Sequence, residues 1–134
     1  MQVLIFKLSE ELFALRTERV LSINETMNVT RVPAAPEYIK GLVNLRGKIL
    51  SLLDINLLLE VPHTDEIQEN IIILDLDNET VGIAVDQVVE VIDIAEHMLG
   101  ESALMKHRDY IEGILKFEDS IVTLIDMDIL CKKS

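Results

Sequence analysis

The chain has 134 residues, nearly half of them apolar, and a formal net charge of −12. That length fits one domain or two small lobes sharing a core, and five Phe or Tyr with no Trp leave the core to Ile, Leu and Val. The acidic balance excludes nucleic acid and anionic lipid as natural partners, and no apolar run reaches the ~20 residues that a spanning helix needs.

Residues 3–8 (VLIFKL) and 12–16 (LFALR) predict two strands about the polar turn Ser9-Glu10-Glu11. The chain enters the first strand with no basic leader, so no secretion signal is expected. Further on, Pro33 and Pro36 mark an extended connector over Arg31–Glu37. Tyr38–Asp54 (YIKGLVNLRGKILSLLD) predicts a β-hairpin, with apolar-rich runs on either side of a tight turn at Arg46-Gly47. Ile55–Glu60 follows as a short helix, with Asp54 placed to cap it. Val61–Asn70 is a polar joint.

The pattern then recurs. Residues 71–76 and 80–85 predict strands about Asp77-Asn78-Glu79, and residues 4–23 align without gaps on 72–91 at an offset of 68. Tyr110–Leu130 aligns on Tyr38–Leu58 at an offset of 72, with seven of 21 positions identical, including Gly41/Gly113 and Asp54/Asp126. The difference between offsets is a four-residue insertion between Val91 and Tyr110. A second short helix is expected at Met127–Leu130. A single domain over 1–134, made of repeat halves of about 1–62 and 63–134, is therefore expected. Many short strands with little helix predict an all-β fold of two small barrels.

Charge separates the halves. Residues 1–62 carry seven acids and seven bases, and residues 63–134 carry seventeen acids and five bases. The duplicated lobes have thus diverged electrostatically and are expected to face different partners.

No catalytic or metal constellation is expected. The five glycines fit no phosphate loop, and His63, His97 and His107 lack metal spacing. The single Cys131 leaves no internal disulfide, fits a reducing setting, and has no base placed to activate it. Asp54 and Asp126 repeat one position, which favours capping over a carboxylate dyad. Met98, Met105 and Met127 read as core filling. No cofactor is expected.

The informative differences lie in the hairpins. Lys40 matches Glu112, Arg46 matches Glu118, Gly47 matches Asp119 and Lys48 matches Ser120. Scaffold positions agree while polar ones differ, so the fold does not require Arg46. Asp119 is expected to supply the positive φ that Gly47 supplies in the first copy.

Gly41–Gly47, GLVNLRG, resembles the GxxNLRG signature of the CheW family of bacterial chemotaxis coupling proteins. FALRTERVLSI (Phe13–Ile23) and ILSLLDI after the signature fit as well, and the likeness spans the chain. The resemblance implies two five-stranded, SH3-like β-barrels and an adaptor without enzymatic activity. It implies two partners, the cytoplasmic tip of methyl-accepting chemoreceptors and the regulatory domain of the histidine kinase CheA. The setting would be cytoplasmic, with recruitment to membrane receptor arrays through partners and no direct membrane insertion. Partner-binding residues carried over are Val20, Gly41, Val43, Asn44, Leu45, Arg46 and Gly47, with the receptor groove placed between the lobes. Many family members carry Glu where this chain has Ser22, which leaves open whether Arg46 pairs with Glu25, with another acid or with a partner. A CheW-like adaptor of a non-chemotactic system, or a small-ligand-binding β-barrel, are the alternative readings.

Overall fold

The computed structural model describes residues 1–64, 67–77, 79–101 and 108–132. Among these residues ten strands form two five-stranded sheets, each an SH3-like barrel. In chain order they are β1 (Gln2–Leu8), β2 (Glu11–Arg16), β3 (Val20–Glu25), β4 (Ile39–Leu45) and β5 (Lys48–Leu53). The second set is β6 (Asn70–Asp75), β7 (Thr80–Val85), β8 (Gln87–Asp93), β9 (Ile111–Lys116) and β10 (Ile121–Ile125). Helix α1 (Ile55–Leu59) follows β5, and α2 (Met127–Lys132) follows β10.

The expected elements are present, with local differences. The first turn needs only Ser9 and Glu10, both at positive φ (49° and 70°), because Leu8 pairs directly with Glu11. The expected helix caps form as expected. Asp54 Oδ1 accepts the Leu57 N–H at 3.1 Å, and Asp126 Oδ1 accepts the Ile129 N–H at 3.2 Å. The N–H of each aspartate also donates to the carbonyl of its repeat's tyrosine, Tyr38 at 2.8 Å and Tyr110 at 2.7 Å. Of the methionines read as core, Met127 is buried but Met98 is exposed. Met105, His107 and most of the insertion lie outside the described residues.

Strand order overturns the equation of half with lobe. Barrel A runs β8-β1-β2-β10-β9, and barrel B runs β3-β6-β7-β5-β4. Each barrel thus takes three strands from one half and a hairpin from the other. The joins are parallel, β2 beside β10 and β5 beside β7. The charge contrast between halves does not become a contrast between barrels. Residues 20–86, which build barrel B, carry eleven acids and four bases, and the rest of the chain carries thirteen acids and eight bases. All four bases of barrel B fall within Arg31–Lys48.

Strand alternation explains why the exchange is stable. Successive side chains on a strand point to opposite faces. On β1, Val3 and Ile5 fill barrel A, while Leu4, Phe6 and Leu8 point the other way into a shared core between the barrels. On β6, Ile71 and Ile73 fill barrel B, while Ile72 and Leu74 enter that same shared core. The hairpins β1–β2 and β6–β7 are apolar on both faces because both faces are covered. Phe6 and Phe13 stack at the centre with ring centroids 6.0 Å apart.

Candidate functional site

The signature hairpin β4–β5 alternates like the other strands. Gly41 and Val43 face inward and are buried, and Leu45 is half-buried against the interior of barrel B. Lys40, Asn44 and Arg46 face outward and are exposed, with Leu42 half-buried between them. Of the seven expected residues, Val43 is therefore a barrel-core residue and Gly41 a covered one. Val20 is half-buried on the shared core, and its neighbour Leu21 is the exposed residue.

Gly41 has a specific steric reason. A Cβ there would lie 2.4 Å from Val29 Cγ1 and 2.7 Å from the Thr30 carbonyl oxygen, because Thr30 pairs with Leu42 along the strand edge. Gly113 answers the same need more loosely, 3.0 Å from Leu99 Cδ2, under the bridge between Gly100 and Ile114. Gly41→Ala is expected to lower stability by about 2 kcal/mol, through forced displacement in a packed region. Gly113→Ala should cost less, since a side-chain tip yields more easily than a carbonyl. Urea midpoints of the two variants check the order.

The tip is a two-residue turn with Leu45 opposite Lys48. Arg46 (φ 53°) and Gly47 (φ 86°) both have positive φ, the type I′ pattern. Asn44 Oδ1 accepts the Gly47 N–H at 3.0 Å and locks it. The second hairpin does not copy this, because Asp119 is not among the residues at positive φ. There Phe117 N–H donates to the Ser120 carbonyl at 2.8 Å, so the pair opposite each other matches Leu45 and Lys48 while the turn between them does not. Gly47 is thus needed for its backbone, while Arg46 holds a conformation that disfavours it by about 1 kcal/mol. The Arg46 guanidinium forms no ion pair or hydrogen bond among the described residues, and neither Glu25 nor any other acid meets it.

Beside the tip is an open cleft of about 310 Å³, floored by Leu45, Leu50 and Ile73, walled by Leu21 and rimmed by Arg46 and Lys48. Barrel A carries its counterpart, a cleft of about 320 Å³ at the β9–β10 tip. The two match residue for residue at the repeat offsets. Leu21 corresponds to Val89, Leu45 to Phe117, Leu50 to Val122 and Ile73 to Ile5. The rims reverse: Ser22, Arg46 and Lys48 on barrel B stand against Glu90, Glu118 and Ser120 on barrel A, where Asp119 adds another acid. The exposed apolar residues pair in the same way, Leu21 with Val89, Ile23 with Val91 and Ile49 with Ile121. Leu21, Lys48 and Ile49 were missed from sequence. The period-2 alternation about buried Val43 would have pointed to Lys40 and Leu42 as the outward set.

At the end of barrel A opposite its hairpin tip is a further opening, lined by Arg16, Glu18, Arg19, Glu112, Asp126 and Asp128 over Leu15, Ile125 and Met127. Arg16 meets Glu112 at 2.8 Å, and this hydrogen-bonded carboxylate holds the guanidinium pKa above its usual value. Arg19 bridges Asp128 at 2.8 Å and Asp77 at 3.2 Å, tying α2 to the β6–β7 turn. On α2, burial first, then Glu79 and Asp128, push the Cys131 thiol up to about 12. It stays protonated at neutral pH and is a poor nucleophile. Among the described residues no group of three or more His, Cys, Asp or Glu is arranged to hold a metal, and no helix is long and apolar enough to cross a membrane.

Comparison with known proteins agrees with this architecture. The chemotaxis protein CheW of Bacillus subtilis is 32% identical over 98% of this chain and 87% of its own length. The chemotaxis protein CheW of Thermotoga maritima is 25% identical over 95% of this chain and 85% of its own. The crystal structure of the scaffolding protein TtCheW from Thermoanaerobacter tengcongensis superposes with a TM-score of 0.86 at 30% identity, covering 96% of this chain and 86% of that one. The family profile of the CheW-like domain matches residues 2–134, and with its exchanged barrels and GLVNLRG hairpin the chain belongs to the CheW-like family.

Proposed function

We propose that this protein is a chemotaxis adaptor that couples methyl-accepting receptors to the histidine kinase CheA by binding both, without catalysing a reaction. The observation that carries the reading is Arg46, an exposed cation kept in a backbone conformation that disfavours it and given no partner among the described residues. Local preference broken without internal compensation marks a residue retained for contact.

The kinase's regulatory domain, itself a CheW-like fold, presents barrel ends of the same shape. A matching barrel end with an acidic rim fits the Arg46–Lys48 cleft, and one with a basic rim fits the cleft bearing Glu90, Glu118 and Asp119. The receptor tip, an amphipathic helix, lies along the outer face of β4, from Lys40 past Leu42 and Asn44 to Arg46. Signal passes because receptor conformation biases how the kinase is held, a population shift among bound states. The adaptor acts in the cytoplasm and reaches receptor arrays through these partners.

The test mixes purified protein with a receptor-tip fragment and with the kinase regulatory domain. Both are expected to bind at about tens of micromolar or tighter, within the range of transient signalling contacts. Kinase affinity should fall steeply as salt rises, since the paired rims are exposed to screening. Leu42→Asp should weaken receptor binding by placing a charge in the middle of the outer face of β4. The reading is lost if neither partner binds.

A further inference from the structure

The mouth of barrel B opposite the hairpin tip lacks something that barrel A has. In barrel A the equivalent place is spanned by Arg16, whose Nε donates to Glu112 Oε1 at 3.0 Å. At the repeat offsets, Ala84 stands where Arg16 is and Lys40 stands where Glu112 is. Truncation to alanine leaves an opening of about 320 Å³ with Leu52, Ile71 and Ala84 at its floor and Met27 and Val29 on its walls.

Gln68 bridges this opening. Its Nε2 donates to the Ala84 carbonyl at 3.2 Å and to Asn56 Oδ1 at 3.1 Å, and its Oε1 accepts from Lys40 Nζ at 2.5 Å. The other ionisable groups on the lining are engaged elsewhere. Asp86 is buried, and its Oδ2 accepts the Ser9 N–H at 2.8 Å. His63 Nε2 faces Asp54 Oδ2 at 2.9 Å. Among the described residues Lys40 therefore meets a neutral amide, where its counterpart in barrel A meets an opposite charge.

We infer that this opening is a socket for an acidic side chain delivered by the receptor, a step that rests on the receptor reading above. The aliphatic stem of a glutamate or aspartate on the receptor-tip helix would lie over Ala84 and Leu52. Its carboxylate would take Lys40 from Gln68, because charge-assisted hydrogen bonds are about twice as strong as neutral ones. The socket completes, with reversed polarity and between two molecules, the ion pair that barrel A forms within itself. Lys40 also begins the outward face of β4 assigned to the receptor, so the socket continues that surface.

Calorimetric titration of the full chain with the receptor-tip fragment tests this, with the kinase regulatory domain as control. Lys40→Glu is expected to weaken receptor binding about tenfold or more, as loss of a charge pair at an interface does. Gln68→Glu should weaken it comparably by supplying the carboxylate from within. Lys40→Arg should bind as the parent does, and kinase affinity should stay unchanged throughout. Both Lys40 and Gln68 reach solvent, so the variants should fold, with circular dichroism as the check. Receptor affinity within about twofold of the parent in both glutamate variants would overturn the socket while leaving the adaptor reading intact. Failure of the parent chain itself to bind the fragment removes the receptor reading and the socket with it.

Discussion

Phe6→Ala is expected to destabilise the protein by about 3–5 kcal/mol, the range for removing a fully buried aromatic ring, and to lower both barrels together. Phe6 has no exposed surface and stacks on Phe13 in the core shared by the two sheets. It lies on β1, a strand of barrel A, yet its side chain points away from that barrel's interior. The cavity therefore opens between the barrels and weakens the packing of Ile72, Leu74 and Ile83 on barrel B as well. Exchange of hairpins makes separate unfolding costly, because each barrel would lose strands covalently attached to the other half. The expected result is a single cooperative transition, displaced to lower denaturant with little change in slope. Two resolved transitions, one near the parent midpoint, would show that the barrels fold independently.

The opposite trade is expected at the hairpin tip. Arg46→Asn should raise stability by about 0.5–1 kcal/mol, because Asn followed by Gly is the preferred pair for a type I′ turn. It should also weaken kinase binding about tenfold, a typical loss for truncating a charge at an interface. A gain in stability with a loss in binding separates a contact residue from a structural one. Thermal unfolding and titration on the same preparation check both halves of the result. If the variant loses stability, the Arg46 side chain supports the fold and the contact role fails.

Much of this architecture could be read from the chain because repetition exposed it. Tyr38/Tyr110, Gly41/Gly113 and Asp54/Asp126 carry the same backbone duties in each copy, a strand-end hydrogen bond, a close approach and a helix cap. Strand partners were not legible. Nothing in the pattern of β1–β2 says whether it pairs with β5 or with β10, since both are short apolar strands with buried faces. That choice depends on which pairing covers both faces of β1 and β6 at once, a tertiary condition that no local window contains. The same kind of gap hid which residues of the motif reach the surface. Val43 belongs to a recognisable motif, but its alternation with Asn44 puts it inside, and Leu21 reaches the cleft only because β3 lies in the barrel whose mouth Leu45 and Leu50 line. Arg46 was identified by disagreement between copies, and its backbone angle supplied the independent physical reason.

The exchanged hairpins also bear on ancestry. Two separate half-length polypeptides related by a two-fold axis would close the same pair of barrels by trading their first hairpins, as swapped homodimers do. Joining them head to tail freed the two tips from having to match. A symmetric dimer must carry one charge at both ends, whereas the fused form can be positive at one end and negative at the other, which gives the molecule a direction.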